Sequence, residues 1–506
     1  MTSPTKWGSK RFRQNERIPS RRQGAGCQAK LSAWNNSVPP VKTVIHWFRR
    51  DLRVADNTAL SEAARRAESV LPVFIFEDAL YAGPDASGAR LAFLLRSVSA
   101  LQEQLAELGH PLIVRRGQPA EILPRLCREA GAQAVFANKQ HEPPAQQRDE
   151  RMAQALLRIG VGFEWFKDAV IWEEQEILTQ SENPYTVFTP YAKSWKAKSV
   201  PPPRPRLRPA KSKAEILRPD ALPATPAELG EALKQAIPPA GECVALDQLR
   251  KFMAGPVYDY GTNRDFPALA GTSHLSPHLR AGTIGIRTVL AALRKAREKG
   301  EPAQAAGCDV FLNELIWREF YVQVLHNFPH VVKGAFRPVY DQLQWSDNRE
   351  HFQAWCEGRT GYPIVDAAMR CLNATGTMHN RLRMIVAMFL TKDLLIHWQW
   401  GERYFMQQLV DGDLAANNGG WQWSAGTGTD AAPYFRIFNP VSQALKFDPQ
   451  GTIVRRWLPE LKDLPDDLLQ QPWENSLLLG RSKYPARIVL HEKQREKCLA
   501  MFKAVK

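Results

Sequence analysis

From Lys42 onward, short apolar runs alternate with segments whose apolar positions recur at helical spacing. The runs are Val44-Ile45-His46-Trp47-Phe48, Leu71-Pro72-Val73-Phe74-Ile75-Phe76, Leu112-Ile113-Val114, Ala134-Val135-Phe136 and Val161-Gly162-Phe163-Glu164-Trp165. Helical periodicity runs through Leu60, from Ala89 to Leu108, near Ala120 to Ala130 and from Gln147 to Ile159. Five short strands with helices between them predict an α/β domain over residues 43–172, built on a doubly wound parallel sheet. No G-x-G-x-x-G follows the first strand, so the ordinary dinucleotide fingerprint is absent from this half. Residues 173–240 turn Pro-rich, with Pro201-Pro202-Pro203-Arg204-Pro205, and read as an extended connector rather than a core. Over 241–506 long helical segments take over, Asp309–His326 and Asn380–Gln399 among them, and predict an all-α domain. Nine of the fifteen tryptophans lie in that half, a density that suggests a gripped ring system or electron traffic.

At 506 residues the chain is too long for one core. No run approaches the ~18 apolar residues of a membrane helix, so a soluble protein without a membrane partner is expected. The formal charge of +15 favours an anionic partner, yet residues 1–42 supply +8 of it, with nine Lys or Arg against Glu16. This leader has no apolar h-region and reads as disordered. Its composition resembles a transit peptide, so an organellar address stays open beside a disordered tail or a start codon set too early. The seven cysteines form no C-x-x-C pair, so no metal site and no disulfide framework is expected.

Chemistry concentrates in three stretches. Asn313-Glu314-Leu315-Ile316-Trp317-Arg318-Glu319-Phe320-Tyr321 puts Glu314, Trp317 and Tyr321 on one helix face, with Arg318 close by. An aromatic plate beside a carboxylate and a guanidinium suits an unstacked base, although an amphipathic helix with a salt bridge has the same pattern. Met378-His379-Asn380-Arg381-Leu382-Arg383-Met384 and Asp411-Gly412-Asp413-Leu414-Ala415-Ala416-Asn417-Asn418-Gly419-Gly420-Trp421-Gln422-Trp423 follow. With Trp47-Phe48-Arg49-Arg50-Asp51-Leu52-Arg53 and Asp56-Asn57, this order resembles the photolyase and cryptochrome family over about Val44 to Lys503. The likeness is greatest to its class I cyclobutane pyrimidine dimer branch.

The resemblance implies an N-terminal antenna domain, a connector, and a helical domain holding FAD below a DNA-facing cavity. It implies FAD contacts from Tyr260, the segment Thr272-Ser273-His274-Leu275-Ser276, Arg383, Asp411, Gly412, Asp413 and Asn417. In family terms Arg383 pairs with Asp411 and Asn417 sits beside flavin N5. A neutral amide there favours the anionic reduced flavin that repair needs over a neutral radical. Glu314, Trp317, Trp423, Asn380 and Met384 are implied to hold the dimer. Arg264, Arg318, Arg381 and Arg436 are implied to meet DNA phosphates, with Tyr321 beside them, and Trp421, Trp398 and Trp345 to relay electrons to the surface.

The implied activity is blue-light repair of ultraviolet-damaged DNA by a deoxyribodipyrimidine photo-lyase, acting as a monomer in a bacterial-type cytoplasm. A blue-light receptor is the alternative, disfavoured by Asn417 and by a chain that ends at Lys506. The (6-4) photoproduct is disfavoured as substrate because Asn380 and Met384 do not titrate near neutral pH. His379 should point about 100° away from Asn380. A second antenna pigment, methenyltetrahydrofolate or a deazaflavin, stays open. Pro144 and Ala145 stand where folate-type relatives carry Asn and Glu, whereas Lys333 matches another folate contact. Thr377 and His274 replace a common Trp and Arg of the family.

Overall fold

In a computed structural model of the chain, the structure describes residues 41–81, 83–210, 217–475, 477, 480 and 483–505. The expectations for the leader and Cys27 fall outside these residues, apart from Val41 and Lys42. Five strands form one parallel sheet: β1 (Val41–Phe48), β2 (Ala67–Phe76), β3 (Ile113–Arg116), β4 (Ala134–Asn138) and β5 (Gly162–Phe166), in the order β3-β2-β1-β4-β5. β1 lies at the centre, Val44 pairing with Val70 of β2 and Ala134 of β4. Its side chains alternate between two cores. Val44 and Phe48 pack with Leu60 and Leu95 on one face, and Ile45 and Trp47 with Leu126 and Met152 on the other. Helices Thr58–Arg66 and Gly88–Glu107 cover the first face, and Pro119–Ala130 and Pro143–Leu157 the second. Burial on both sides is why β2 reads as an unbroken apolar run.

The helical half departs from its expected elements at two points. Residues 380–399 do not form one helix. Asn380–Met388 passes into a π-helical turn, Phe389–Asp393; Leu395 then adopts φ 55°, and His397 caps a new helix, Trp398–Gln408. Leu395 sits in a left-handed conformation that an α-helix cannot contain. The connector is likewise only partly extended. Its helix Phe188–Lys196 buries Tyr191 and Trp195 in the helical core, and Trp195 Nε1 donates to Glu319 at 2.6 Å. Aromatic residues at 185, 188, 191 and 195 carry apolar surface that outweighs the prolines further on.

The two halves are joined through a buried ionic hub. Arg287 pairs with Asp56 at 2.7 Å and with Asp168 at 2.5 Å, and Asp168 also pairs with Arg53 at 2.5 Å. Gly282, at φ 72°, lies so close to the Arg50 carbonyl that a Cβ would fall 2.0 Å from its oxygen. Residues 49–57 therefore sit at a tightly packed seam between the sheet and the helical segments. Removing one partner of such a buried network costs about 3–5 kcal/mol.

Candidate active site

The helix Pro302–Asn327 carries Trp317 and Tyr321 one turn apart, with ring centroids 5.4 Å from each other. Arg264, just after a short helical turn at Tyr260–Asn263, donates to Glu314 at 2.6 Å. One face of Trp317 is taken: Phe188 lies parallel to it, centroids 3.8 Å apart at 4°. Phe188 is fixed from the far side, its N–H donating to Asp430 at 3.0 Å. Sequence reasoning missed Phe188, although helical aromatic spacing inside the connector was a visible signal. Tyr321 and half-buried Trp423 line a small cavity of about 280 Å³ together with Asn418 and Gln422.

Asn380 begins its helix with its amide nitrogen 4.0 Å from Met384 Sδ, so the two share a face. His379 is the N-cap, its Nδ1 accepting from the Arg381 N–H at 3.1 Å. Burial, then the neighbouring Arg383, hold its imidazole down to about 4, so it is neutral at pH 7. Arg381 donates to Asp265 at 2.6 Å and lies 4.2 Å over the Phe447 ring. The Arg264–Asp265 turn thus ties the Glu314 face to the Asn380 face. Arg436 is exposed beside Phe435, itself 62% exposed. Arg318 corrects the sequence reading: it donates to the Ala169 carbonyl at 2.7 Å and lines a cleft between the halves, because this side of its helix packs on the segment after β5.

On the cofactor side, Arg383 Nη2 lies 2.9 and 3.1 Å from the two Asp411 carboxylate oxygens while its Nε donates to the Met378 carbonyl at 2.8 Å, and the carboxylate is 7% exposed. Asp413 caps the helix Leu414–Ala425, accepting from the Ala416 N–H at 3.1 Å. Ala416 is exposed although Ala415 and Asn418 beside it are buried, so this helix borders an open space. Asn417 donates Nδ2–H to the Glu402 carbonyl at 2.9 Å. A carbonyl only accepts, so the amide nitrogen must face it and Oδ1 faces away. Glu402 is a second residue that sequence reasoning missed. Its carboxylate accepts from Asn418 at 2.9 Å, and burial pushes the group up to about 7.

Tyr260 is buried, and burial raises its hydroxyl above the ordinary range. Leu275 N–H approaches Ser273 Oγ at 3.4 Å, Thr272 Oγ1 lies 3.5 Å from His274 Nε2, and His274 adopts φ 52°. Three buried nitrogens, His379 Nε2, Arg381 Nε and Trp421 Nε1, have no partner among the described residues. Unsatisfied donors, the Thr272–Ser276 hydroxyls and the outward Asn417 oxygen fit a large polar ring cofactor with a diphosphate.

Of the three tryptophans expected to relay electrons, Trp421 is 2% and Trp398 1% exposed, while Trp345 is half-buried. His397 lies between the last two, its centroid 5.7 Å from Trp398 and 5.5 Å from Trp345. Gly401 admits Trp421 to this helix, since a Cβ there would fall 2.1 Å from the ring. Trp355, one of the nine tryptophans of the helical half, is fully buried 6.0 Å from Trp421.

A second cleft of about 630 Å³, open to solvent, lies past the C-terminal ends of β1, β4 and β5, where the strand order reverses. Open α/β sheets bind ligands at this switch point. Arg50, Lys139, Arg280 and Arg318 line it, with Glu142, Asp168 and Asp413 opposing. Burial, then the nearby Arg50, push Arg90 down to about 10, and Arg280 is lowered by burial and by the same two neighbours. Asp51 also lines the cleft, so four cations face four carboxylates and the lining is polar and mixed in sign.

A doubly wound α/β half followed by a tryptophan-rich helical half has the layout of a flavin-binding photoenzyme. Family models agree: "DNA photolyase" matches residues 44–209 and "FAD binding domain of DNA photolyase" residues 311–504. The deoxyribodipyrimidine photo-lyase of Salmonella typhimurium is 42% identical over 479 residues, 92% of this chain and 99% of the relative. A bacterial class III photolyase from Agrobacterium tumefaciens superposes with TM-score 0.85 at 37% identity, covering 93% of this chain and 99% of that one. An archaeal photolyase from Sulfolobus tokodaii, solved with two FAD molecules, gives 0.78 at 32%, covering 91% and 100%. A Synechocystis cryptochrome gives 0.80 at 27%, covering 91% and 99%. The chain belongs to the DNA photolyase family.

Proposed function

We propose that this protein splits cyclobutane pyrimidine dimers in ultraviolet-damaged DNA, driven by blue light. The observation that carries the substrate is the pairing of Glu314 and the Phe188-backed Trp317 with the Asn380–Met384 face. That combination offers a carboxylate, an aromatic plate and a thioether, and the nearest imidazole is neutral and turned to backbone. Reduced FAD, when bound, supplies the light-excited electron that opens the dimer and takes it back. Thr272, Ser273, His274, Leu275 and Ser276, with Tyr260, would hold its diphosphate end. Arg383, Asp411, Gly412, Asp413 and Asn417 would hold the flavin and ribityl end, with Asn417 Oδ1 accepting from a ring N–H.

Glu314 accepts a hydrogen bond from the flipped dimer, Trp317 and Trp423 sandwich it, and Met384 packs on its apolar edge. Arg264, Arg381 and Arg436 are left to meet phosphates, Arg264 and Arg381 from geometry already fixed by acidic partners. The cleft past β1 and β4 is the place for a second light-harvesting chromophore. No helix among the described residues is long and apolar enough to cross a membrane.

The test uses reduced protein, blue light and two duplexes, one with a cyclobutane dimer and one with a (6-4) photoproduct. Preferential loss of the cyclobutane dimer is expected. Preferential repair of the (6-4) duplex overturns the placement of Asn380 and Met384, and no repair of either by fully reduced protein favours a receptor.

A further inference from the structure

The connector holds a feature that the repair site does not use. Residues 201–209, Pro-Pro-Pro-Arg-Pro-Arg-Leu-Arg-Pro, leave Arg204, Arg206 and Arg208 exposed, while Leu207 is buried in the α/β core at 6%. We propose that these three arginines form a preset strip that grips the phosphate backbone of duplex DNA outside the lesion, without regard to sequence or damage. The choice of polymer rests on the DNA-repair reading; the existence of the strip does not.

Its backbone is pinned. The Asp56 N–H donates to the Arg204 carbonyl at 3.2 Å, and the Arg204 N–H to Asp56 Oδ1 at 2.9 Å. Ser61 Oγ donates to the Pro205 carbonyl at 3.1 Å, Leu207 N–H to Val54 at 2.9 Å and Ala210 N–H to Leu108 at 2.8 Å. Prolines before and between the arginines fix φ as well, so little chain entropy is left to lose on binding. Arg53, Arg66 and Arg115, on neighbouring elements, are each ion-paired. Among the described residues the strip arginines have no such partner, and Glu242, whose charge Arg206 feels, is engaged by the Val54 and Ala55 N–H groups.

Spacing argues for a regular polyanion. Two residues of extended chain advance about 6–7 Å, and successive phosphates of one strand, which rise about 3.4 Å while winding round the duplex axis, lie roughly 7 Å apart through space. Three guanidiniums at every second residue therefore match successive phosphates of one strand. An acidic protein surface has no such period. Exposed arginines that serve solubility alone need neither the anchoring nor the interval.

The experiment compares full-length, flavin-loaded protein with the triple variant Arg204→Gln, Arg206→Gln, Arg208→Gln on undamaged duplex, from 50 to 200 mM salt. Each phosphate contact adds about 0.9 to the slope of log affinity against log salt, so the variant's slope should be shallower by about 2.7. The wild-type advantage should then shrink roughly 40-fold across that range. A control triple, Arg294→Gln, Lys295→Gln, Lys299→Gln, removes the same charge from an exposed helix face and should keep the wild-type slope. An unchanged slope in the strip variant overturns the proposal and turns attention to an acidic protein partner. An equal change in both triples also overturns it, since net charge would then explain everything. Dimer repair by pre-reduced protein at saturating concentration should be unaffected in the strip variant. Wild-type protein that shows the strip's salt signature yet repairs no lesion sinks the repair reading alone.

Discussion

A single added methyl group at Gly401 should disconnect light from flavin reduction. In Gly401→Ala the new Cβ would lie 2.1 Å and 2.5 Å from two carbons of the Trp421 ring and 2.6 Å from Leu390 Cδ2. Carbon atoms pack at about 3.5–4.0 Å, so the indole must retreat by roughly 1.5 Å. It has nowhere to go. Trp421 is 2% exposed, with Phe405 at 5.0 Å and Trp355 at 6.0 Å closing the other sides. Overpacking of this kind costs about 1–3 kcal/mol and is relieved only by moving the ring or the helix Trp398–Gln408, either of which breaks the spacing toward Trp398. The assay follows photoreduction of oxidised flavin by absorbance, beside dimer repair by chemically pre-reduced enzyme and the thermal midpoint. Photoreduction should fall steeply and the midpoint drop, while pre-reduced enzyme still repairs. Trp421→Phe removes the indole without overpacking and should give the same split. Wild-type photoreduction with an unshifted midpoint in Gly401→Ala would show that the ring is not confined. Equal loss of both activities in Trp421→Phe would make the residue structural.

Asn417→Asp should accumulate a neutral flavin radical under light and lower repair, and unchanged spectra and yield would count against Asn417 as the ring neighbour. Glu402 is 9% exposed and titrates near 7, against about 4.3 when unfolded, so the native state binds the extra proton between these values. Its contribution to stability is therefore fullest below about pH 4 and lost as pH rises through 7, a difference of roughly 4 kcal/mol. Glu402→Gln, which cannot titrate, should gain stability relative to wild type between pH 5 and 8, and parallel unfolding curves across that range would refute the assignment. Phe188→Ala removes the stack beneath Trp317, worth about 0.5–1.5 kcal/mol, and should weaken dimer-duplex binding roughly 2- to 10-fold; unchanged affinity would mean that Trp317 needs no backing.

Local periodicity carried the sheet well, because each strand of β1 to β5 is specified by its own side chains and both faces are buried. It carried the long helix at 309–326 for the same reason. Failures came where the decision is not local. Residues 380–399 have continuous helical spacing, yet the left-handed Leu395 and the cap at His397 interrupt it. Arg318 lies one helical turn from Glu314, but the segment after β5 packs on its side of the helix and takes its guanidinium. Trp317 was visible and its backing partner Phe188 was not, since they lie 129 positions apart.

The same distinction separates two kinds of residue within the family motifs. Asp56, Arg53 and their partners Asp168 and Arg287 have the charge pattern of a reactive cluster, but all are below 5% exposed and every carboxylate is answered by a guanidinium. Such a hub can hold geometry, and it has no group left over to act on a ligand. Asn417, by contrast, spends one end of its amide on the Glu402 carbonyl and keeps the other end unspent. His379 and Trp421 likewise keep a buried nitrogen without a partner. Burying such groups unsatisfied costs about 1–3 kcal/mol each, a penalty that a stable fold accepts where a bound molecule completes the hydrogen bonds. The hub's carboxylates and the Asn417 amide are therefore told apart by whether their polar atoms are already paired, which only the three-dimensional pairing reveals.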